Sequence, residues 1–156
     1  MLENCRNAKE RWGGVSDIVD KWLKERQDLI VLYCDITSTE GESTEALVTR
    51  YQHFCQLLVD YVSAGHFEVY EQLIQEAKEF DDGGLELAKK IIPQIEQTTE
   101  IALKFNDQFD NVHKVDDGLG SLVSEMSRLG EVLADRFELE DAMLEALHNA
   151  HADQVV

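Results

Sequence analysis

The sequence predicts an all-α protein, an antiparallel bundle of four long helices with a kink or split in one of them. Apolar residues recur at a spacing of three and four along most of the 156-residue chain. No apolar-polar alternation long enough for a strand interrupts them, and the segments between the helices are short. With 44% hydrophobic residues the chain can fill one core, so we expect a single domain over residues 1–156.

The first helix is predicted to run from about Glu3 to Tyr33. Gly13-Gly14 interrupts its pattern, and each glycine costs about 1 kcal/mol relative to alanine, so a kink or split is expected there. The polar stretch Ile36 to Ser43 predicts a loop before the next helix. The apolar stripe of this first helix is Trp12, Val15, Ile18, Val19, Trp22, Leu29, Ile30 and Tyr33.

Two helices, Thr44 to Ser63 and His66 to Phe80, are predicted on either side of Gly65. Because glycine adopts a left-handed conformation at low steric cost, we expect the helix to end and the chain to turn at this residue. The stripe before the turn is Leu47, Tyr51, Phe54, Cys55, Leu58 and Val62, and the stripe after it is Phe67, Val69, Tyr70, Leu73, Ile74 and Ala77.

Two acidic glycine turns separate the remaining helices. Asp81 to Gly84 predicts the first turn, and Asp116 to Gly118 predicts the second. The helix between them starts near Leu85, and its Pro93 predicts a kink or a fresh helix start because proline lacks a backbone donor. The last helix is predicted from about Leu119 to His151.

The charge of the chain limits its partners. Fourteen basic against 32 acidic residues give a formal net charge of -18, which argues against nucleic acid or an anionic membrane as a direct partner. The first 28 residues hold six acids and six bases, so the whole excess lies beyond them. A basic protein partner fits this field, although acids that merely solvate helix surfaces would give the same composition.

Three cysteines in no paired spacing, and an N-terminus without a basic and then apolar signal region, predict an intracellular, cytoplasmic protein with reduced thiols. No apolar run approaches the roughly 18 residues that span a bilayer, so no transmembrane segment is expected.

Catalytic and metal patterns are weak. A di-iron site in a bundle needs two Glu-x-x-His motifs, and only Glu145 and His148 supply one. Cys55, His66 and Asp60 could suggest a nucleophile with its base, but Cys55 belongs to an apolar stripe, where a structural cysteine is favoured. No phosphate-binding glycine loop is present. We therefore predict no enzyme activity, no cofactor and no metal.

The stretch from Phe54 to Glu71 is the best candidate for a surface that binds a partner. Asp60 falls between the buried positions Leu58 and Val62, so its carboxylate should lie off the core-facing side of the helix. Aromatic residues beside charges are common interface anchors, which suits Tyr61 and Phe67.

These residues resemble the Rsd/AlgQ family of bacterial regulators over nearly the whole chain. The most specific motif is Phe54-Cys-Gln-x-Leu-Val-Asp60-Tyr-x-Ser-Ala-Gly-His-Phe-x-x-Tyr70-Glu71. Supporting motifs are Glu10-Arg-Trp-Gly-Gly14, Val19-Asp-x-Trp-Leu-x-x-Arg26, Ile92-Pro-Gln94, Leu129-Gly-Glu-x-Leu133 and Arg136-Phe-x-Leu-Glu-Asp141. The opening Met-Leu-Glu-x-Cys-Arg-Asn-Ala is closer to the AlgQ side, which is known for regulating alginate production in pseudomonads.

The resemblance implies an anti-sigma factor. Members of the family bind region 4 of the housekeeping sigma factor, a basic helix-turn-helix module that reads promoter DNA and docks on RNA polymerase. Carried over by motif, the contact residues expected in this sequence are Asp60, Tyr61, Ser63, His66, Phe67, Arg11, Asp17 and Asp20. A metal- or ligand-binding bundle enzyme, or an adaptor for another regulatory protein, remains the alternative.

Overall fold

The computed structural model describes residues 8–38, 44–80, 83–109 and 119–154. Nearly all of these residues are helical, and no strand occurs among them, which confirms the all-α prediction. The elements are α1 (Ala8–Ser38), α2 (Thr44–Ala64), a π-helical segment (Gly65–Val69), α3 (Tyr70–Phe80), α4 (Gly84–Phe109), α5 (Leu119–Leu147) and a 3₁₀ turn (Asn149–Gln154). None of the described helices is long and apolar enough to cross a bilayer.

Contacts between the long helices show that neighbours run antiparallel. Arg50 of α2 reaches Asp35 near the end of α1, whereas the carbonyl of Tyr61 accepts a bond from Trp22 near the middle of α1. The same reversal relates α1 to α5, because Trp12 contacts His148 and Tyr33 contacts Met126. The antiparallel bundle is therefore the observed architecture.

The core contains most of the apolar residues predicted for the first three helices, but Ile30 and Phe67 are exposed, so their assignment to buried stripes is wrong. Burial is complete for Phe54, Cys55, Leu58, Leu122, Met143 and Leu147. Aromatic rings bridge the helices within it: Phe54 lies edge-on to Phe105 of α4, with ring centroids 6.1 Å apart. Removal of this apolar surface from water, at about 25 cal/mol per Å², is the main force that holds the bundle together.

The split predicted at Gly13-Gly14 does not occur, since α1 is continuous from Ala8 to Ser38. It also extends past the predicted end at Tyr33, because Ile36 is 3% exposed and belongs to the core. Residues 3–7 of the predicted helix, and residues 39–43 of the predicted loop, lie outside the described part of the chain.

Gly65 does not end the helix or adopt a left-handed conformation, so this prediction is also wrong. Ala64 before it is right-handed helical, and the chain continues through the π-helical segment into α3. The structural reason for glycine is space. A Cβ at this position would lie 3.1 Å from the Tyr70 hydroxyl and 3.3 Å from the Trp22 ring, closer than most side chains tolerate.

The other turns match the predictions in part. Gly83 has a left-handed φ of 93° and precedes the first residue of α4, as the turn chemistry predicts. Pro93 does not start a new helix but lies inside a continuous α4. The carbonyl of Lys89 loses its backbone donor there, and this is tolerated because Lys89 and Pro93 are both exposed to water. The α5 helix ends at Leu147, four residues earlier than predicted, and the chain tightens into the 3₁₀ turn. Asp81, Asp82 and the turn at residues 116–118 lie outside the described part.

The two glycines Gly65 and Gly13 should respond oppositely to alanine. Gly65→Ala should lower the free energy of unfolding by about 1 kcal/mol, because the methyl group would push against Tyr70 and Trp22, both fixed in the core. Gly13→Ala should raise it by about 0.5–1 kcal/mol, since nothing lies within 4 Å of the added Cβ and the helix gains propensity. Urea denaturation of both variants measures the two changes, and equal effects would contradict the steric explanation.

Candidate functional site

A buried carboxylate, Glu140 of α5, accepts hydrogen bonds from several helices. It is 1% exposed. The hydroxyl of Tyr61 in α2 donates to it at 2.5 Å, and the hydroxyl of Tyr70 in α3 donates to its other oxygen. Burial raises the pKa of the Glu140 carboxyl, whereas Arg136 and the phenol donors oppose that rise. We refer to this arrangement as the Glu140 network.

Two arginines complete the Glu140 network. Arg136, fully buried, donates to Glu140 at 3.2 Å and to Thr99 of α4 at 2.7 Å. Arg26 of α1 donates to the Tyr61 hydroxyl at 3.0 Å, and its guanidinium also pairs with Glu140 at 3.3 Å. All five helices therefore meet at one set of charge-assisted hydrogen bonds.

The π-helical segment places both tyrosines on the side that faces Glu140. Tyr61 and Tyr70 are nine residues apart, so an unbroken α-helix at roughly 100° per residue would point them to opposite sides. The wider turn over Gly65–Val69 takes up about one extra residue, which reduces the angle between the two side chains to roughly 80° and lets both reach Glu140. His66, Phe67 and Glu68 are consequently exposed together.

An acidic groove of about 300 Å³ lies between α1 and this π-helical segment, with Ala64 at the end of α2 also lining it. Asp17, Lys21 and Glu25 line it from α1, and Glu68 lines it from the π-helical segment. Asp60 is exposed on α2 and interacts electrostatically with Glu25. We call this surface the α1/α2 face, defined by Asp17, Lys21, Glu25, Asp60 and Glu68.

Glu25 is the least satisfied group of the α1/α2 face. Its Oε2 atom is buried and has no hydrogen-bond partner in the described part of the chain. Burial raises the pKa of its carboxyl, and Lys21 opposes the rise. Three nearby acids add to it: Asp28, Asp60 and Glu68. A cationic group brought here from outside would relieve the like-charge repulsion, and it would pair with this oxygen once the Glu25 side chain turns outward.

The α1/α2 face has an exposed aromatic at one end. Phe67 is 73% exposed, the most exposed of the large apolar side chains described. His66 packs edge-on against it with ring centroids 4.8 Å apart, and Ser63 is half-buried on α2 nearby along the chain. Asp60, Ser63, His66 and Phe67 thus lie on consecutive turns at the end of α2, although His66 lines a different groove together with Ile92 of α4.

Three of the predicted contact residues lie elsewhere. Tyr61 is fully buried, which corrects its placement on the surface: its ring stacks on Trp22 at 5.0 Å and its hydroxyl belongs to the Glu140 network. Arg11 forms an ion pair with Glu79 of α3, away from Asp60. Asp20 is exposed on α1 but does not line the groove that Asp17 lines.

Sequence reasoning missed Glu25, Glu68 and the Glu140 network. The network had a readable signal, because Arg136 and Glu140 continue the spacing of the buried Leu129 and Leu133, where charged residues need buried partners. Glu25 had none. It is one of 32 acidic residues in the chain, and only the folded neighbours of α1 set it apart.

The residues weighed for catalysis are used structurally. Glu145 is exposed, and His148, which was weighed with it for a metal site, contacts buried Glu76 at 2.7 Å and stacks on Trp12. Cys55 is fully buried in the core. Among the residues that the structure describes, no three His, Cys, Asp or Glu side chains are grouped to hold a metal ion.

Glu140→Gln should destabilise the protein by about 3 kcal/mol, because it leaves the Arg136 guanidinium charged, buried and poorly paired. Asp141→Asn is the matched control: Asp141 also pairs with Arg26, but its side chain is 60% exposed, so less than about 1 kcal/mol should be lost. Chemical denaturation distinguishes the two, and a small loss for Glu140→Gln would mean that the network adds little to stability.

Glu76→Gln should change the pH dependence of stability. Burial raises the pKa of Glu76 above its ordinary 4.5, although the bond to His148 and the charge of His151 oppose the rise. A raised pKa means that the folded protein binds this proton more tightly than the unfolded chain does. The resulting stabilisation is complete below pH 4.5, and it is lost as the pH rises through the pKa of Glu76 in the folded protein. The variant cannot ionise, so its stability relative to wild type should increase from pH 4.5 towards neutrality. Unfolding titrations across this range test it with exposed Glu100→Gln as the control, and a constant difference would contradict the expectation.

The chain is similar to known proteins over nearly its whole length. It is 30% identical to the regulator of sigma D of Yersinia enterocolitica over 148 residues, 93% of this chain and 89% of that protein. The regulator of sigma D of Salmonella paratyphi B is 34% identical over 156 residues, 98% of this chain and 95% of that protein. Residues 1–148 match the family described as regulator of RNA polymerase sigma(70) subunit, Rsd/AlgQ. The chain belongs to this Rsd/AlgQ family.

Proposed function

We propose that this protein is an anti-sigma factor that binds the housekeeping sigma subunit of RNA polymerase and so regulates transcription. It acts by occupying region 4 in the cytoplasm, where the polymerase works, and catalyses no reaction. The family match and the relatives named regulator of sigma D support the partner. The observation that carries the binding site is the unpaired Glu25 oxygen beside Asp60 on the α1/α2 face.

Charge complementarity favours a basic module on this face. Asp60 and Glu68 each interact with the charge of Glu25, and Lys21 is the basic residue that lines the same groove as Glu25 and Glu68. An arginine from the partner could bond to both Asp60 and Glu25, since a guanidinium has five donors in a planar fork. Such a pair forms only in the complex, and it would fix the orientation of the partner.

Stable binding of a partner to the α1/α2 face needs more than ion pairs, because exposed ion pairs contribute only about 0–1 kcal/mol each. Phe67 offers an aromatic side chain that is already exposed, with His66 beside it, and its burial by a partner would supply the apolar contact. Ser63 provides a polar contact at the edge. Tyr61 positions this surface from inside through the Glu140 network and does not touch the partner.

The predicted residues of α1 have smaller roles in this proposal. Asp17 lines the acidic groove and adds to the attraction of a basic partner, and exposed Asp20 contributes only to the long-range field. Arg11 is held by Glu79 and lies outside the proposed contact. The closer likeness to the AlgQ side rests on the first eight residues and stays a prediction.

Asp60→Arg should abolish retention of a sigma region 4 fragment, since it places a positive charge where the partner's arginine would bind. Asp107→Arg makes the same charge change at an exposed position of α4, and this variant should still retain the fragment. Binding of the wild-type protein should weaken as salt rises, because the attraction is screened over about 10 Å at 0.1 M salt. Failure of the purified wild-type chain to retain region 4 at low salt would overturn the proposed function.

Phe67→Ala should weaken binding to region 4 by about tenfold, with little change in stability because the ring is mostly in water. Glu25→Gln should weaken it by roughly two- to fivefold by removing the charge of the acceptor. Titration calorimetry measures both. If Phe67→Ala binds like wild type while Asp60→Arg does not, the acidic residues alone hold the partner and the aromatic anchor is wrong.

A further inference from the structure

A second concave surface lies on another flank of the bundle, between α1 and α5. It is an apolar groove of about 240 Å³, and it is separate from the α1/α2 face because no residue is shared between them. Its floor is formed by buried Leu29 and Leu133. The residues that line this α1/α5 groove are Leu29, Ile30, Tyr33, Gly130, Leu133, Ala134 and Phe137.

Two polar bridges between α1 and α5 flank the groove. At one end Arg26 donates to Asp141 at 2.6 Å, and at the other the Tyr33 hydroxyl donates to the carbonyl of Met126 at 2.9 Å. Arg26 and Tyr33 are seven residues apart, about two helical turns. The groove lies between these two bridges, so it is about 10 Å long.

Small residues of α5 keep the groove open. A Cβ on Gly130 would clash with the hydroxyl of Tyr33, so glycine is required for the bridge to Met126. Four residues later, Ala134 is exposed and leaves space above Leu133. On the opposite wall Ile30 is 40% exposed, although it is a large apolar side chain. The groove therefore has an apolar surface that this chain leaves partly in water.

Acidic residues border the groove on the α5 side. Glu131 and Glu138 are exposed and each follows a lining residue, Gly130 or Phe137. Glu131 is close enough to Tyr33 for its charge to add to burial and to Cys34 in raising the pKa of the Tyr33 hydroxyl. An occupant with basic residues along its edge would meet these carboxylates, whereas an acidic one would be repelled.

The shape and charge of the groove exclude two other classes of occupant. Its volume of about 240 Å³ is below the roughly 300–1,000 Å³ of small-molecule sites, and its one polar side chain, Tyr33, already donates its proton. A second copy of this chain would bring another net charge of -18 against the same acidic border.

We propose that the α1/α5 groove docks an amphipathic helix of a partner protein, with apolar side chains inserted between α1 and α5 and Lys or Arg beside Glu131 and Glu138. Apolar residues at i, i+3 or i+4, and i+7 of such a helix match the two-turn length of the groove. This docking does not depend on the α1/α2 face, so it holds whether or not the proposed sigma contact is correct.

The test uses a synthetic amphipathic peptide of about 16 residues, long enough to form a helix, with leucines on one face and lysines on the edges. A scrambled peptide of identical composition has the same charge and no apolar face. The first peptide should bind the full-length protein at least about tenfold more tightly than the scrambled one, measured by fluorescence anisotropy at 0.15 M salt. Equal binding of the two peptides would show attraction by net charge alone and would overturn the proposal.

Ala134→Lys is the decisive variant. The exposed position tolerates a long side chain, which would fill the groove and repel the peptide, so binding should weaken by about tenfold while retention of region 4 stays unchanged. Glu138→Lys should weaken peptide binding by about two- to fivefold, and Asp60→Arg, with the same charge change on the other face, should not.

Unchanged peptide binding by Ala134→Lys would place the peptide elsewhere and refute the proposal. Sedimentation velocity without peptide provides a further check. A wild-type dimer that Ala134→Lys disrupts would identify a second copy as the occupant and would likewise refute docking of a basic helix.

Discussion

The buried carboxylate of Glu140 is the constraint on which the arrangement of the bundle depends. An ionised carboxylate inside a core is tolerated only if several donors reach it, and here those donors come from α1, α2, α3 and α5. Apolar packing alone would allow helices to slide or rotate by small amounts at little cost. Hydrogen bonds within about 3 Å do not, so the network selects one register for all five helices from the many that would bury the same leucines.

The same requirement explains the exposed end of the α1/α2 face. Tyr61 and Tyr70 can both point to Glu140 only if the helix between them gains a residue, and the π-helical segment supplies it. That wider turn leaves His66 and Phe67 outside, next to Asp60. Stabilisation of the core and presentation of an aromatic side chain to a partner are thus two results of one change in backbone geometry. Most polar groups of the core are paired, but the Oε1 atom of Glu76 and the Oε2 atom of Glu25 are buried without a hydrogen-bond partner in the described part of the chain.

How much of this was predictable depends on the range of the interaction. Most of the apolar stripe positions and the turn at Gly83 follow from local patterns and were predicted correctly, whereas Ile30 and Phe67 were placed in stripes but are exposed. Gly65 was predicted as a helix end because glycine often has that role, whereas its actual role depends on Trp22, which is 43 residues away in the chain. Tyr61 was expected at the surface for a similar reason, since its partner Glu140 lies 79 residues away. Asp60 was placed on the surface correctly because position on an amphipathic helix is a local property.

Helix α1 forms one side of both concave surfaces of this acidic protein. Its Asp17 and Glu25 line the acidic groove beside the π-helical segment, and its Leu29 and Ile30 line the apolar groove with α5. Acidity draws a basic partner towards the whole molecule but does not choose where it stays, because the long-range field is spread over many carboxylates. The position at which a partner binds is set by short-range features. These are an unpaired oxygen of Glu25 on one side of α1 and unfilled apolar space above Leu133 on the other. A partner that uses only charge would bind both sides weakly and lose both at high salt, whereas one that fills either feature would persist there.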